Sequence, residues 1–93
     1  MEVTFELVYF KEALKDLEFW KTSGNKGALK KVKEILLALE NNPYSSTPGE
    51  PEKLKYTEGF SRKVNKKDRV TYLVNEEKKE IIILRMRGHY DDD

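Results

Sequence analysis

The apolar residues of this chain change period at Asn41-Asn42-Pro43, and that change dictates the fold class. Before it they mostly recur at helical spacing; after it they alternate. Proline cannot continue a helix and disfavours helical geometry in the residue before it, so the break is firm. Phe10, Ala13, Leu14, Leu17 and Trp20 define one helical face, with Lys11, Glu12, Lys15, Asp16 and Glu18 opposite. Ser23-Gly24-Asn25 ends that helix. A second helix is predicted over residues 26–40, with Leu29, Val32, Leu36 and Leu39 as its apolar stripe, Ala28 and Ile35 beside it, and Lys30, Lys31, Lys33 and Glu34 in solvent. Ahead of both, Val3, Phe5 and Leu7 alternate with Thr4 and Glu6 as a short strand. Residues 42–51 read as a loop. Strands follow at 54–56 (short), 60–65, 69–75 and 80–87. Glu76-Glu77-Lys78-Lys79 turns the last two into an antiparallel pair. The order β-α-α-β-β-β(-β) predicts an α+β domain over 1–93, with two N-terminal helices on one face of a mostly antiparallel twisted sheet.

One-sided cover leaves the other sheet face open, and strand parity sorts the side chains. Val70, Tyr72 and Val74 should face the helices, with Ile82, Leu84 and Met86 beside them. Lys63, Arg69, Arg85, Arg87 and His89 should share the open face. Two features resist this sorting. Ile81 and Ile83 fall outward, and Arg62 shares parity with Phe60 and Val64.

The 93 residues suffice for one compact domain. There is no cysteine and one histidine, which excludes disulfides and leaves no ligand set for a structural zinc. No metal and no cofactor are expected. No apolar run approaches membrane-spanning length, and the N-terminus does not read as a signal peptide, so the expectation is a cytoplasmic protein with no membrane partner. The net charge of +1 conceals an asymmetry: residues 1–52 carry 7 basic and 9 acidic side chains, whereas residues 53–90 carry 11 and 5. A basic half on a near-neutral chain fits a face that meets phosphates, and fits a solvated Lys/Glu surface equally well.

The candidate reacting groups are few: Glu52, His89 and a set of arginines. A carboxylate, a histidine and cationic clamps suffice for metal-free RNA cleavage, in which a base takes the 2′-hydroxyl proton, an acid protonates the leaving 5′-oxygen, and cations stabilise charge on phosphorus. Taken alone the set is unspecific. Its order is not. Pro51-Glu52-Lys53-Leu54-Lys55, Gly59-Phe60-Ser61-Arg62-Lys63-Val64, Asp68-Arg69-Val70-Thr71-Tyr72-Leu73-Val74 and Arg87-Gly88-His89-Tyr90 together resemble the YoeB-type toxins of the RelE-like superfamily. Ala13, Asp16, Leu17 and Trp20 extend the resemblance, more loosely, towards the N-terminus.

The resemblance implies the toxin of a type II toxin–antitoxin system: a ribosome-dependent mRNA endonuclease, or mRNA interferase, restrained by a cognate antitoxin protein. It implies Glu52 as general base, Arg69 as stabiliser of the pentacoordinate phosphorus, His89 as general acid and Tyr90 as a positioning group. Lys55, Arg62 and Lys63 would hold RNA or phosphate, and parity adds Arg85 and Arg87. The chain departs from the family pattern in a shorter segment between Lys55 and Ser61, in Phe60 where the family has Trp, in Lys63 where it has Arg, and in Asp91–Asp93 after the His-Tyr pair. A lysine keeps the charge at 63 but loses bidentate phosphate geometry. A gyrase-targeting toxin of the ParE type and a catalytically inactive relic that only binds antitoxin or regulates its operon are the alternatives. Homodimer and toxin–antitoxin hetero-oligomer are both open.

Overall fold

A computed structural model of the protein describes residues 4–55 and 58–88. The elements are β1 (Glu6–Tyr9), α1 (Lys11–Thr22), α2 (Lys26–Asn41), β2 (Glu52–Lys53), β3 (Phe60–Lys63), β4 (Arg69–Asn75) and β5 (Glu80–Arg85). The sheet order is β1-β5-β4-β3-β2, with β1 parallel to β5 and every other pair antiparallel. The expected α+β architecture is present, and the second helix and β4 match their predicted spans. The first strand lies later in the chain than the alternation of Val3, Phe5 and Leu7 suggests. A short strand is expected at 54–56; the structure has it at Glu52–Lys53, Leu54 and Lys55 are in no strand, and Tyr56 lies outside the described residues. No helix among the described residues is long and apolar enough to cross a membrane.

Helix α2 starts where the side chain of Asn25 accepts the Ala28 N–H at 2.9 Å. It buries Ala28, Val32, Ile35, Leu36 and Leu39. These pack with Ala13 and Trp20 of α1 and with Val70, Tyr72, Ile81, Ile83 and Met86 of the sheet side. Such burial is the main favourable term of the fold, at roughly 1.5–3 kcal/mol per large apolar side chain.

The parity expected for β5 is corrected. Ile81 and Ile83 are fully buried against the helices, opposite Val74 and Tyr72, whereas Ile82 pairs with Leu73 on the outer face. The ladder then shifts register, with Tyr72 opposite Ile83 and Thr71 opposite Arg85, so that Leu84 is an extra residue on β5. A bulge reverses the alternation beyond it. Met86 therefore returns to the core as expected, and Leu84 is buried as well, outside the main cluster; Ile82 alone of the three lies on the outer face.

Helix α1 is corrected too. Its buried residues are Ala13, Asp16 and Trp20, while Phe10 and Leu14 are about half-exposed. Asp16, expected in solvent, is 4% exposed. Its carboxylate accepts Arg85 Nε at 2.7 Å, Arg85 Nη2 at 3.2 Å and the Met86 N–H at 3.0 Å. One turn on, Trp20 Nε1 donates to the Met86 carbonyl at 2.7 Å. Both backbone groups of Met86 are thereby fastened to α1, beyond the last paired residue of β5. Asp16→Ala should leave the Met86 N–H and the Arg85 guanidinium without this acceptor and cost about 2–3 kcal/mol. Thermal melting should show a fall of roughly 10 °C. Asp16→Asn, which keeps an acceptor, should fall less; equal stability of all three proteins would rule the contact out as a structural pin.

Candidate active site

The site is built on the uncovered face, where β2, β3 and β4 lie side by side. Glu52 stands opposite Ser61, and Lys63 opposite Arg69. Arg69 is mostly buried, and its Nη1 donates to Glu52 Oε1 at 2.5 Å and to Ser61 Oγ at 3.2 Å. A half-exposed carboxylate and a recessed guanidinium thus sit together with solvent access. Next to Ser61 on the ladder is Thr71, fully buried, whose Oγ1 has no hydrogen-bond partner among the described residues. Ser61, inside the Gly59–Val64 motif, belongs to the site, and its shared parity with Lys63 is what marks it in the sequence.

The strand edge that carries Glu52 is held from below. The backbone of Gly49 approaches β3, its carbonyl accepting the Lys63 N–H at 2.7 Å. At φ +91° a side chain there would be strained, and a Cβ would lie 2.9 Å from Arg62 Cβ. Arg62 is fully buried. It donates to Tyr72 Oη at 3.0 Å and to the carbonyls of Pro43, Ser45 and Pro48 at 3.0, 2.7 and 3.2 Å. Burial pushes the Tyr72 phenol above its ordinary pKa, although Arg62 acts in the opposite direction.

Among the cations expected to hold phosphate, the structure divides the set. Lys63 is on the open face, half-exposed, 3.9 Å from Glu50. Lys55 is exposed just beyond β2. Arg62 is corrected: with its donors committed inside the loop it is not available to RNA. Arg85 is corrected: its guanidinium turns to Asp16 of α1, which raises its pKa further. For Arg87 only the expected face is corrected: it stacks on Phe19 of α1, its Cζ 3.8 Å from the ring centroid, and stays exposed. His89 and Tyr90 lie outside the described residues. Gly88, just before them, is tied to the site's strand: its carbonyl accepts the Arg69 N–H at 3.1 Å, and its own N–H donates to Asp68 Oδ1 at 2.9 Å. Two cations outside the candidate set, one of them read as a solvated residue of the second helix, also reach the site. Lys31 and Lys66 join Lys63, Arg69 and Glu50 around a groove of about 460 Å³.

The family model for YoeB-like toxins of bacterial type II toxin–antitoxin systems matches residues 9–90. The chain belongs to that family. The site's strands, with Glu52, Ser61 and Arg69, lie inside the matched span. Among solved structures, the YoeB dimer from Staphylococcus aureus is 27% identical at a TM-score of 0.78, with 95% of this chain and 100% of that one covered. The YoeB–YefM complex from the same organism is 29% identical at 0.75, over the same shares. A YoeB/ParE toxin from Agrobacterium tumefaciens, 24% identical at a TM-score of 0.80 over 92% of this chain and all of that one, shares the fold. No curated protein gives a significant match.

Within this YoeB-like toxin, Arg62 and Lys63 should separate cleanly by experiment. Arg62→Met removes the donors to three carbonyls and a buried hydroxyl, and should cost about 3 kcal/mol or more. Arg62→Lys should recover only part of this, because one ammonium cannot reach four acceptors. Lys63→Ala should change stability by less than about 0.5 kcal/mol. Chemical denaturation of the three variants checks it, and a destabilisation of Lys63→Ala equal to that of Arg62→Met would contradict the division.

Proposed function

We propose that this YoeB-like toxin is a ribosome-dependent mRNA endonuclease that works by general acid–base catalysis without a metal. The observation that carries the reading is the Glu52–Arg69 pair, 2.5 Å apart on the open sheet face. A 2′-hydroxyl and the adjacent phosphorus need a base and a cation side by side. Glu52 takes the 2′-hydroxyl proton, the 2′-oxygen attacks phosphorus, and Arg69 bears the charge that develops on the phosphoryl oxygens. The bond to the 5′-oxygen breaks, and His89 supplies the proton that the leaving oxygen needs. Tyr90 positions the nucleotide, and Lys55 and Lys63 hold flanking phosphates. Products end in a 2′,3′-cyclic phosphate and a 5′-hydroxyl. Gly88, the last described residue before that pair, is tied to Arg69 and Asp68 of the site's strand end.

The partner is a cognate antitoxin acting in the cytoplasm. The S. aureus relative is described as a YoeB–YefM complex, and a RelE–RelB complex from Pyrococcus horikoshii shares the fold at a TM-score of 0.72. The cationic open face calls for an acidic segment, and the S. aureus YoeB dimer makes self-association a second assembly open to this chain.

Glu52→Gln should slow cleavage of ribosome-bound mRNA roughly 100- to 10,000-fold while leaving ribosome binding nearly intact. Arg69→Ala should also lose turnover, and His89→Gln should behave as Glu52→Gln does. Cleavage should persist in chelator wherever the ribosomes remain whole. Wild-type rates for Glu52→Gln, or 3′-hydroxyl products, would refute the mechanism; inhibition of DNA supercoiling without RNA cleavage would favour a gyrase poison.

A further inference from the structure

A groove of about 640 Å³ lies round the corner from Arg69, between the end of α1 and the β3–β4 turn. Its volume falls in the range of small-molecule clefts. Phe19, Trp20, Lys66, Lys67, Asp68 and Arg87 line it. Phe19 is 39% exposed, and the Arg87 guanidinium lies over its ring, so an exposed chain segment presents a flat cation on an aromatic base. Phe19 touches the edge of Trp20 at a centroid distance of 5.2 Å but lies outside the core cluster, and Arg87 is exposed, so the outer face of the stack is open to solvent. Asn65 fixes the turn by accepting the N–H groups of Lys67 and Asp68, both at 2.8 Å, which leaves the lysine side chains to solvent. The acid in the groove, Asp68, already accepts the Gly88 N–H.

The groove is continuous with the site. It shares Asn65 and Lys66 with the groove that Lys63 and Arg69 line. Cations therefore run from Arg69 and Lys63 through Lys66 and Lys67 to Arg87. A track of cations that ends on a stacked aromatic–guanidinium pair has the chemistry of single-stranded nucleic-acid recognition. The cations follow phosphates, while the flat groups take a base whatever its identity.

We infer that this groove is a nucleobase subsite: an RNA strand whose phosphate lies at Arg69 passes round the β3–β4 turn and stacks a flanking base on the Phe19–Arg87 pair. The inference rests on the proposed function for the strand's placement at Arg69, and on the groove itself for base binding.

The test uses the full chain carrying Glu52→Gln, which keeps the probe uncut, and a single-stranded RNA of about ten nucleotides, within the usual site size. An abasic oligonucleotide of equal length supplies the charge without the bases. Trp20 is the chain's one tryptophan and lines the groove, so its emission reports occupancy. RNA should change Trp20 emission, and the abasic strand should change it far less. Phe19→Ala should weaken RNA binding, read by anisotropy of labelled strands, roughly 5- to 100-fold. It should leave abasic binding unchanged, and Phe19→Tyr should restore RNA affinity. Lys66→Ala with Lys67→Ala should weaken both strands alike and reduce the salt dependence. Equal effects of Phe19→Ala on the two strands, or Trp20 emission indifferent to RNA, would overturn the inference. Melting curves exclude unfolding as the cause, and cleavage by the protein without Glu52→Gln tests the endonuclease separately. A chain that cleaves mRNA yet shows no base-dependent binding loses this subsite and keeps its function.

Discussion

A buried guanidinium that has no carboxylate partner among the described residues holds the loop before β2 in place. Arg62 lies fully inside, and its partners are three loop carbonyls and one phenol. Burying a charge is costly unless its donors are satisfied, and here the acceptors come from residues 43–48, a segment with little apolar matter of its own. The loop needs donors for its carbonyls and the arginine needs acceptors, so neither is stable in place without the other. The loop leads into β2, two residues long, which would not hold as an isolated strand. Glu52 owes its position beside Ser61 to a loop fastened from within.

The opposite end is fastened by the same logic with different atoms. Beyond the bulge, β5 has no parallel neighbour, because β1 has already turned into α1. Asp16 and Trp20 take over, one accepting and one donating at Met86. The chain that leaves this clamp is then caught by Asp68 and Arg69 at Gly88. Two polar fastenings therefore bracket the open face, one behind Glu52 and one at Met86 and Gly88. Arg69 lies between them and bonds to both sides.

The sequence is legible wherever a period runs undisturbed. The stripe of α2, the span of β4 and the antiparallel pair closed by Glu76–Lys79 follow from alternation and turn chemistry. Reading fails where one residue breaks the count. Leu84 is one residue too many on β5, and everything beyond it changes face. The signal was present as a contradiction, since two isoleucines on a solvent face made no sense. Arg62 gave the same kind of signal by sharing parity with Phe60 and Val64. A charge at a core position means a buried acceptor set, and only the tertiary path of the loop shows where that set comes from. Asp16 gave less: a carboxylate one residue from Leu17 looks like the edge of a polar face until the chain end it receives is known. The Glu52–Arg69 pair was reached through the order of motifs rather than through any spacing, because the residues stand 17 apart and meet only across three strands.

These fastenings change what the basic half of the chain can do. Two of its arginines serve the fold, and those at the site are shadowed by acids: Lys63 by Glu50, Arg69 by Glu52. Affinity for a phosphate chain tracks the number of cations that can each neutralise a phosphate, so the free surface grips RNA less than its composition suggests. Ion pairs this exposed on one side are weak and exchange readily. On the proposed function, a phosphate arriving at Arg69 displaces the Glu52 carboxylate from the guanidinium. That one exchange neutralises the phosphate and frees the base beside the 2′-hydroxyl. Base release is then coupled to substrate arrival. An RNA held in position by a larger assembly would gain more from such a site than one met by chance in solution.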